Sequence, residues 1–264
     1  MTPDQADAAH DAIARLAASD RLLVALDFDG TLSPLEDEPM DARMLPAARD
    51  AVEALVAAPH TVVAFVSGRS LIDLRVIAEH DDSSRVILAG SHGAEFWIPG
   101  EGVVSHGEDD ADIALRDALR RHAEAATAHL EGVWIEPKTF GFGVHTRRAT
   151  AEAAAEANRA VDAIVAAEAP QWRRRTGHNI VEFAFRHEGK DSAIAELRER
   201  VGATAVLFAG DDVTDEDALA SLGADDLGVR VGDGPTAAAV RVPEIAALAE
   251  LLLLLAGERT RARG

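Results

Sequence analysis

An unbroken run of apolar residues, Leu22–Leu26, leads directly into the acidic segment Asp27-Phe28-Asp29-Gly30-Thr31. A continuous apolar run of this length is typical of a strand that is buried on both faces of a parallel sheet. In open α/β sheets, ligands bind just beyond the carboxyl ends of the strands. The segment therefore predicts that two carboxylates, Asp27 and Asp29, lie at the ligand-binding edge of such a sheet.

Several more segments have the pattern of parallel strands, because each is a short apolar run that ends in Gly, Ser or Asp. The predicted strands are Leu22–Leu26, Thr61–Val66, Val86–Ala89, Ala205–Ala209 and Leu227–Val231, and the predicted helices beside them are Pro46–Ala58, Ser70–Glu79, Asp191–Val201 and Thr214–Leu222. Strands that alternate with helices predict an α/β fold with a doubly wound, Rossmann-like parallel sheet. Right-handed crossovers then place all the strand ends along one edge.

The alternation stops between about residues 107 and 189, where the pattern becomes helix–strand–strand–helix–strand–strand. The predicted helices there are 109–130 and 150–169, and the predicted hairpins pair 133–138 with 141–147 and 172–175 with 179–185. This order predicts a small α+β layer with helices on one face of an antiparallel sheet. We expect a core formed by residues 1–107 and 188–264, with an inserted α+β domain formed by residues 108–187.

The charge of the chain limits its partners. The formal net charge is −20, with 46 acidic and 26 basic residues. Such a chain repels nucleic acid and anionic membrane surfaces, so neither is an expected partner. It repels an anionic substrate as well, so any phosphate must be met by local cations or by a metal. The longest late apolar stretch, residues 245–256, is too short to span a bilayer and contains Glu250.

Two further features of the composition suggest where the protein works. The sequence has no cysteine, which excludes disulfides, thiolate zinc sites and a cysteine nucleophile from it. Its first residues, which include Asp4, Asp7 and Asp11, lack the basic and then apolar pattern of a signal peptide. We expect a cytoplasmic protein. The sequence does not determine the oligomeric state, and we favour a monomer.

The fourth predicted strand runs into a second acidic segment, Gly210-Asp211-Asp212-Val213-Thr214-Asp215-Glu216-Asp217. Acidic residues favour helix N-termini, but this cluster exceeds what a helix start requires. Clustered carboxylates repel one another unless a cation lies among them. Magnesium fits because it prefers hard oxygen ligands and keeps several waters. Zinc is not expected, because the cluster contains neither histidine nor cysteine.

Another segment carries candidate phosphate-binding groups. The second strand ends in Ser67-Gly68-Arg69, where a hydroxyl and the N–H groups of a helix start can bind a phosphate oxygen, although Ser-Gly is also common turn chemistry.

Lys138 and Lys190 are the only lysines in an arginine-rich sequence. Because a compact ammonium and a planar guanidinium are not equivalent, these lysines can mark a functional need, or they can be accidental. We expect Lys190 to contact a phosphate oxygen or the nucleophilic carboxylate.

Taken together, the chain resembles the haloacid-dehalogenase-type phosphatase superfamily, whose four motifs occur here in order. The matching residues are Asp27-Phe28-Asp29-Gly30-Thr31, then Ser67, then Lys190, and then Gly210-Asp211-Asp212 with Asp215. The resemblance implies that Asp27 is the nucleophile, that Asp29 is the general acid and base, and that Ser67 and Lys190 offset charge on the transferring group. It also implies Mg²⁺ bound by Asp27, the backbone carbonyl of Asp29 and Asp211, with Asp215 and Asp212 as outer support. Metal contact keeps Asp27 ionised in this scheme, and the side chain of Asp29 is left free to carry a proton.

Within that superfamily, the chain is similar to the trehalose-6-phosphate phosphatase family. The similar stretches are Gly30–Leu35, Val66–Arg69, Gly90–Glu95, Glu136-Pro137-Lys138, His145-Thr146-Arg147 and Val181-Glu182. The resemblance implies substrate contacts from Gly68, Arg69, His92, Glu136, Lys138, His145, Arg147, His178 and Glu182. Since alternate residues of a strand share a face, Glu136 and Lys138 are expected on one face, as are His145 and Arg147. Carboxylates and cations on one face suit sugar hydroxyls, although a solvated outer face of the sheet gives the same pattern.

The chain departs from the family pattern at two positions. His178 stands where the family usually has a lysine, which bears on sugar affinity and substrate identity. Asp191 follows Lys190 where glycine is usual, but the lysine itself is present.

The expected function is Mg²⁺-dependent hydrolysis of trehalose 6-phosphate to trehalose and inorganic phosphate through an aspartyl-phosphate intermediate. The inserted domain is expected to act as a cap that closes over the sugar and sets specificity. The alternatives are a phosphatase for another sugar phosphate (sucrose phosphate or a glycosyl-glycerate phosphate), a phosphomutase, and a catalytically silent sugar-phosphate sensor. A dehalogenase is less expected, because it would not need Asp29. In each retained case, the partner is a small-molecule sugar phosphate.

Overall fold

The computed structural model describes residues 3–105, 110–177 and 179–263. The chain divides into two compact units: Met1–Ser105 with Glu188–Gly264, and His106–His187. The first unit has a buried apolar cluster on each face of its sheet, and the second has one of its own. Each unit therefore has the apolar core that a domain needs.

The first unit is built on an eight-stranded sheet. Numbered in chain order, its strands are β1 Leu22–Leu26, β2 Thr61–Val66, β3 Ile87–Gly90, β4 Glu95–Ile98, β5 Gly102–Ser105, β10 Ala205–Gly210, β11 Leu227–Val231 and β12 Val240–Val242. They lie in the order β12-β11-β10-β1-β2-β3-β4-β5, and only the β3–β4 and β4–β5 pairs are antiparallel. Every predicted core strand is present, and its ends differ from the predicted ends by at most one residue. The sequence missed β4, β5 and β12, which have only three or four residues each.

Helices cover both faces of this sheet. They are α1 Pro3–Ala18, α2 Pro46–Ala57, α3 Leu71–Ile77, α6 Lys190–Val201, α7 Glu216–Ser221 and α8 Ile245–Arg263. Alternate side chains of β1 point to opposite faces: Leu22, Val24 and Leu26 pack with α1, α2, α3 and α8. Leu23 and Ala25 pack with α6 and α7 on the other face. The predicted doubly wound α/β fold is confirmed.

The direction in which strands are added to the sheet reverses at β1. From this strand, β2 and β3 follow on one side, whereas β10 and β11 lie on the other. Such a switch point opens a crevice at the carboxyl ends of the strands, where ligands of α/β proteins bind. Asp27 follows the last residue of β1 and therefore lies at this point.

The second unit is the expected small α+β layer. Its elements are α4 Asp110–Thr127, β6 Trp134–Lys138, β7 Gly141–His145, α5 Ala151–Glu168, β8 Arg173–Gly177 and β9 Ile180–Ala184. The strands form an antiparallel sheet in the order β6-β7-β9-β8. Both helices pack on one face of it, through a core that includes Leu119, Phe142, Val161 and Phe183. In the described parts of both units, every helix is too short or too polar to cross a bilayer.

One expectation for this sheet is wrong. β7 ends at His145, so Arg147 does not share a strand face with it but lies in an exposed turn. The chain turns there because the N–H of Ala149 donates to the carbonyl oxygen of Thr146, at 3.0 Å. The strand face therefore keeps Glu136, Lys138 and His145 and loses Arg147.

A fully buried arginine fastens the last helix to the amino-terminal edge of the sheet. Arg259 of α8 is 0% exposed and donates to backbone carbonyls from two places. Its guanidinium lies 3.0 Å from the oxygen of Ala17 at the end of α1, and 2.8 Å from the oxygen of His60, just before β2. A cation beside the last carbonyls of a helix also interacts favourably with the helix dipole.

We expect Arg259→Met to lower the free energy of unfolding by about 2–4 kcal/mol, because buried carbonyl groups lose their donor. Urea unfolding followed by circular dichroism measures the change. Arg261→Met is the matched control on the same helix, since the side chain of Arg261 is 72% exposed. Its loss should stay below about 0.5 kcal/mol. Equal losses in the two variants would contradict the structural role of Arg259.

Candidate active site

A buried ion triad lies at the switch point of the first unit. Asp27 is 4% exposed, and the ammonium of Lys190, the first residue of α6, donates to its Oδ1 at 2.5 Å. The same ammonium donates to Oδ1 of Asp215 at 2.6 Å. Burial raises the pKa of Asp27 well above its ordinary value, and this effect outweighs the lowering by Lys190. Burial lowers the pKa of Lys190, but Asp215 and Asp27 outweigh it, so that pKa is raised and the ammonium stays charged.

The Gly-Thr pair of the first acidic segment links Asp27 to Asp211. The hydroxyl of Thr31 lies 3.3 Å from Oδ2 of Asp27 and 3.3 Å from Oδ1 of Asp211. Gly30 has a positive φ of 78°, and a Cβ at that position would lie 2.0 Å from Oδ2 of Asp211. The glycine is required both by its backbone conformation and by the close approach of the carboxylate.

Asp215 organises the second acidic segment from behind. It is 0% exposed, and its Oδ2 accepts the N–H groups of Asp211 at 3.0 Å and of Asp212 at 2.9 Å. Its Oδ1 accepts from Lys190, so both carboxylate oxygens are already used. A Cβ on Gly210 would lie 2.3 Å from Cγ of Asp215, which explains the glycine before the segment. This geometry is that of a supporting residue, which shapes the loop that carries Asp211.

The carboxylates at this point have the chemistry of a magnesium site. Asp27, Asp211 and Asp215 each offer an oxygen, and these atoms lie within 4.8 Å of one another. Burial, and then repulsion by Asp215, raises the pKa of Asp211 to about 6. A divalent cation among these groups would remove the cost of holding them ionised side by side. Because these ligands are oxygen atoms only, the residues present fit Mg²⁺.

The structure corrects one expectation for Asp29. Its Oδ2 accepts from Nε of Arg69 at 2.7 Å, and its Oδ1 accepts from Nη2 of the same residue at 2.6 Å. The side chain of Asp29 is therefore not left free, because a guanidinium fork binds both of its carboxylate oxygens. Arg69, expected to contact substrate, is engaged with Asp29 in this structure.

The turn after β2 is packed against His92. Ser67 is 2% exposed, and its hydroxyl oxygen accepts the N–H of Arg69 at 3.1 Å. His92, 8% exposed with φ 59°, donates its backbone N–H to the carbonyl oxygen of Ser67 at 2.9 Å. A Cβ on Gly68 would lie 2.7 Å from Cε1 of His92. The imidazole therefore supports the turn that presents Ser67 and Gly68.

The second unit gathers four of the residues for which we expect sugar contacts. Oε2 of Glu136 lies 2.6 Å from Nε2 of His145 and 2.9 Å from Nζ of Lys138. The same ammonium is 3.6 Å from Oε1 of Glu182. Burial raises the pKa of Glu136, but the hydrogen bond from His145 and the charge of Lys138 outweigh it and lower the pKa to about 2. Glu136 is therefore an ionised acceptor at neutral pH. His178 lies outside the described residues.

Sequence reasoning missed a residue that holds the loop of the second acidic segment. Arg230 of β11 is 7% exposed, and its Nη1 donates to the carbonyl oxygen of Asp212 at 2.9 Å and to Glu216 at 3.2 Å. Its Nη2 donates to the carbonyl oxygen of Asp233 at 3.2 Å. The available signal was a charged residue inside an otherwise apolar strand.

This fold, with carboxylates at the end of its central strand, is also the fold of a solved sugar phosphatase of HAD subclass IIB, with a TM-score of 0.57, 17% identity, and coverage of 86% of this chain and 96% of that one. The trehalose-phosphatase family model matches residues 25–238, so the chain belongs to the trehalose-phosphatase family.

Comparison with individual proteins agrees with this family. The chain is 34% identical over 259 residues to a trehalose-phosphate phosphatase of Mycobacterium avium, and the match covers 91% of this chain and 63% of that protein. It is 34% identical over 252 residues to an uncharacterised glycosyl hydrolase of Mycobacterium tuberculosis, and this match covers 86% of this chain and 18% of that protein. A trehalose-6-phosphate phosphatase C-terminal domain from C. albicans has the same fold, with a TM-score of 0.80, 21% identity, and coverage of 94% of this chain and 96% of that one. The chain spans less than two thirds of the length of the two mycobacterial relatives.

We expect Mg²⁺ to stabilise the protein more at neutral than at acidic pH. The pKa of Asp211 is raised from 3.8 to about 6, so its contribution to the stability of the metal-free protein is present below about pH 4 and is lost as the pH rises through about 6. Bound Mg²⁺ offsets that loss at about pH 7.5, whereas protons compete with the ion at about pH 5. At a concentration about 100-fold above Kd, the melting temperature should rise by about 5 °C at the higher pH and by much less at the lower.

Thermal unfolding at the two pH values, with and without Mg²⁺, measures this difference. Asp211→Asn is the control, because the amide does not titrate and is a weaker ligand. The same rise at both pH values, or an unchanged response in Asp211→Asn, would contradict the assignment.

Proposed function

We propose that the chain hydrolyses trehalose 6-phosphate to trehalose and inorganic phosphate, with Asp27 as the nucleophile. The observation that carries the proposal is the convergence of Asp27, Thr31, Lys190 and Asp211 at the switch point, in a chain of the trehalose-phosphatase family. In a protein with a net charge of −20, phosphate needs a local concentration of positive charge. The buried ammonium of Lys190 supplies one positive charge at this point, and the carboxylates around it leave the rest to a divalent cation.

The reaction has two steps that use the same two aspartates. In the first, a carboxylate oxygen of Asp27 attacks phosphorus, the bond from phosphorus to the sugar oxygen breaks, and Asp29 gives that oxygen a proton. In the second, water attacks phosphorus, the bond from phosphorus to Asp27 breaks, and Asp29 takes a proton from the water. The hydrogen bonds from Lys190 and Thr31 orient the carboxylate of Asp27 for the attack.

The ion pair between Asp29 and Arg69 fits the second step directly. In this pair both oxygens of Asp29 accept hydrogen bonds, and a base accepts from the attacking water in the same way. The pair has to open before Asp29 can carry a proton to the leaving oxygen. Arg69, once released, has donors for an oxygen of the substrate, which is the role that the family resemblance implies for it.

Mg²⁺ completes the proposed site. Asp27, Asp211 and the backbone carbonyl of Asp29 would hold the ion, with Asp212 and Asp215 supporting the loop. When bound, the ion supplies positive charge that stabilises the transferring phosphoryl group.

We assign sugar recognition to the polar cluster of the second unit, which consists of Glu136, Lys138, His145 and Glu182. The ionised carboxylate of Glu136 accepts hydrogen bonds and the ammonium of Lys138 donates them, and sugar hydroxyls can do both. Substrate contacts from Gly68, His92, Arg147 and His178 stay predictions. The cytoplasmic location and the monomeric state stay predictions as well.

Asp27→Asn should lower kcat for phosphate release by at least about 1000-fold, because an amide oxygen is a poor nucleophile. Circular dichroism should show that the fold survives, since asparagine keeps the volume and an acceptor for Lys190. Steady-state phosphate release measures the effect, and chelation of divalent ions should abolish wild-type turnover. The matched control is Asp226→Asn, an acidic residue that pairs with Arg198. Activity of Asp27→Asn near the wild-type level would refute the nucleophile assignment.

A panel of sugar phosphates identifies the substrate. We expect kcat/KM for trehalose 6-phosphate to exceed that for sucrose phosphate, a glycosyl-glycerate phosphate and glucose 6-phosphate by about 100-fold or more, because a site built on hydrogen bonds rejects ligands that leave its groups unpaired. Preference for another member of the panel would identify a different sugar phosphatase. Migration of the phosphoryl group without its release would indicate a mutase. Binding without any turnover would indicate a sensor.

A further inference from the structure

We propose that Trp134 is a positioning residue for sugar recognition, which fixes the imidazole of His145 and, through it, the carboxylate of Glu136. The inference rests on the proposed function, since it assigns a task to the polar cluster of the second unit. It concerns the rings of Trp134 and His145, which lie at the open end of the β6–β7 hairpin, away from its turn.

Trp134 and His145 are partners in the register of β6 and β7. Their rings stack in parallel, with centroids 4.5 Å apart and planes inclined by 1°. The guanidinium of Arg148 lies 5.8 Å from the centroid of the same indole. Trp134 is 38% exposed and lies outside the apolar cluster that joins the sheet to α4 and α5. Core packing therefore does not account for this tryptophan, whereas the stack does.

The stack acts on the torsion that decides where the imidazole points. Rotation about χ2 of histidine is broad, so an isolated imidazole samples many orientations. Face-to-face contact with an indole restricts this rotation, because the overlap is lost when the ring turns. In the restricted orientation, Nε2 of His145 lies 2.6 Å from Oε2 of Glu136. Trp134 therefore aims the donor that holds Glu136.

Glu136 needs such a donor because the strand beside it offers no side chain. Its partner on β7 is Gly143, whose other partner on β9 is Glu182. A Cβ on Gly143 would lie 2.9 Å from Cδ1 of Ile180 and 3.6 Å from Oε2 of Glu136, so Gly143 itself places no side chain between the two carboxylates. Hydrogen bonds from His145 and Lys138, rather than packing against β7, set the position of Glu136.

A fixed, ionised carboxylate favours one class of ligand group. It accepts hydrogen bonds and has no proton to donate, so it selects hydroxyl donors of a neutral sugar. Loss of the stack lets the carboxylate and its partner move, which weakens ligand binding. The effect should fall on KM rather than on kcat, because the proposed phosphoryl chemistry belongs to residues of the first unit.

The test compares Trp134→Leu, Trp134→Phe and the wild type in steady-state hydrolysis of trehalose 6-phosphate. We expect Trp134→Leu to raise KM by about 3- to 10-fold and to change kcat by less than about twofold, in line with the strength of aromatic pairs. Trp134→Phe keeps a flat ring and should restore KM to within about twofold of the wild type. Arg174→Met is the matched control, because Arg174 lies on the same sheet, over the ring of Phe183 in the apolar core. Its KM should equal that of the wild type.

A second measurement follows the imidazole itself. Two-bond ¹H–¹⁵N spectra should show that Nε2 of His145 carries a proton in the wild type and in Trp134→Phe, and that the two tautomers are averaged in Trp134→Leu. An unchanged KM in Trp134→Leu, or an equal rise in Arg174→Met, would overturn the inference, as would an unchanged His145 spectrum in Trp134→Leu. Wild-type protein that hydrolyses no sugar phosphate would overturn the proposed function first, and the role of Trp134 would fall with it.

Discussion

The structure of the site depends on one buried ammonium. Lys190 lies between the carboxylates of Asp27 and Asp215, and removing the lysine would leave two uncompensated carboxylates in a dry environment. The triad also has a geometric role, because it fixes the first residue of α6 against the ends of β1 and β10. Three segments that are distant in sequence therefore meet at one point. With Asp211 beside it, the group keeps an excess of negative charge, which a divalent cation can neutralise.

Much of the first unit could be predicted from the sequence, for a simple reason. Strands that are buried on both faces appear as unbroken apolar runs, and β1 and β10 each end in an acidic segment. The reversal of strand order at β1 brings those segments together, so the motif residues Asp27, Lys190 and Asp211 meet as expected. Short edge strands such as β12, with three residues, carry too little pattern to be seen.

The pairings between side chains could not be predicted. Arg69 engages Asp29, and Arg230 engages the loop of Asp212, across separations that no local pattern encodes. The alternation of strand residues placed Glu136 and Lys138 correctly, but it could not show that a turn removes Arg147 from the strand. Sequence periodicity reports which face a residue is on, whereas the choice of partner is made by tertiary contacts.

Arg259 stabilises the first unit at the end of the sheet opposite to the carboxylates. Its guanidinium ties together the chain segments that enter β1 and β2, whereas the carboxylates lie where those strands end. The stability of the fold and the proposed chemistry therefore depend on opposite ends of the same strands. Substitutions in α1 and α8 that raise thermal stability would act at the amino-terminal ends of these strands. They would leave the carboxylates at the carboxyl ends unchanged. Stabilising substitutions often lower activity where stability and activity depend on the same side chains. In this fold the two sets of side chains are separate, so we expect a smaller loss of activity.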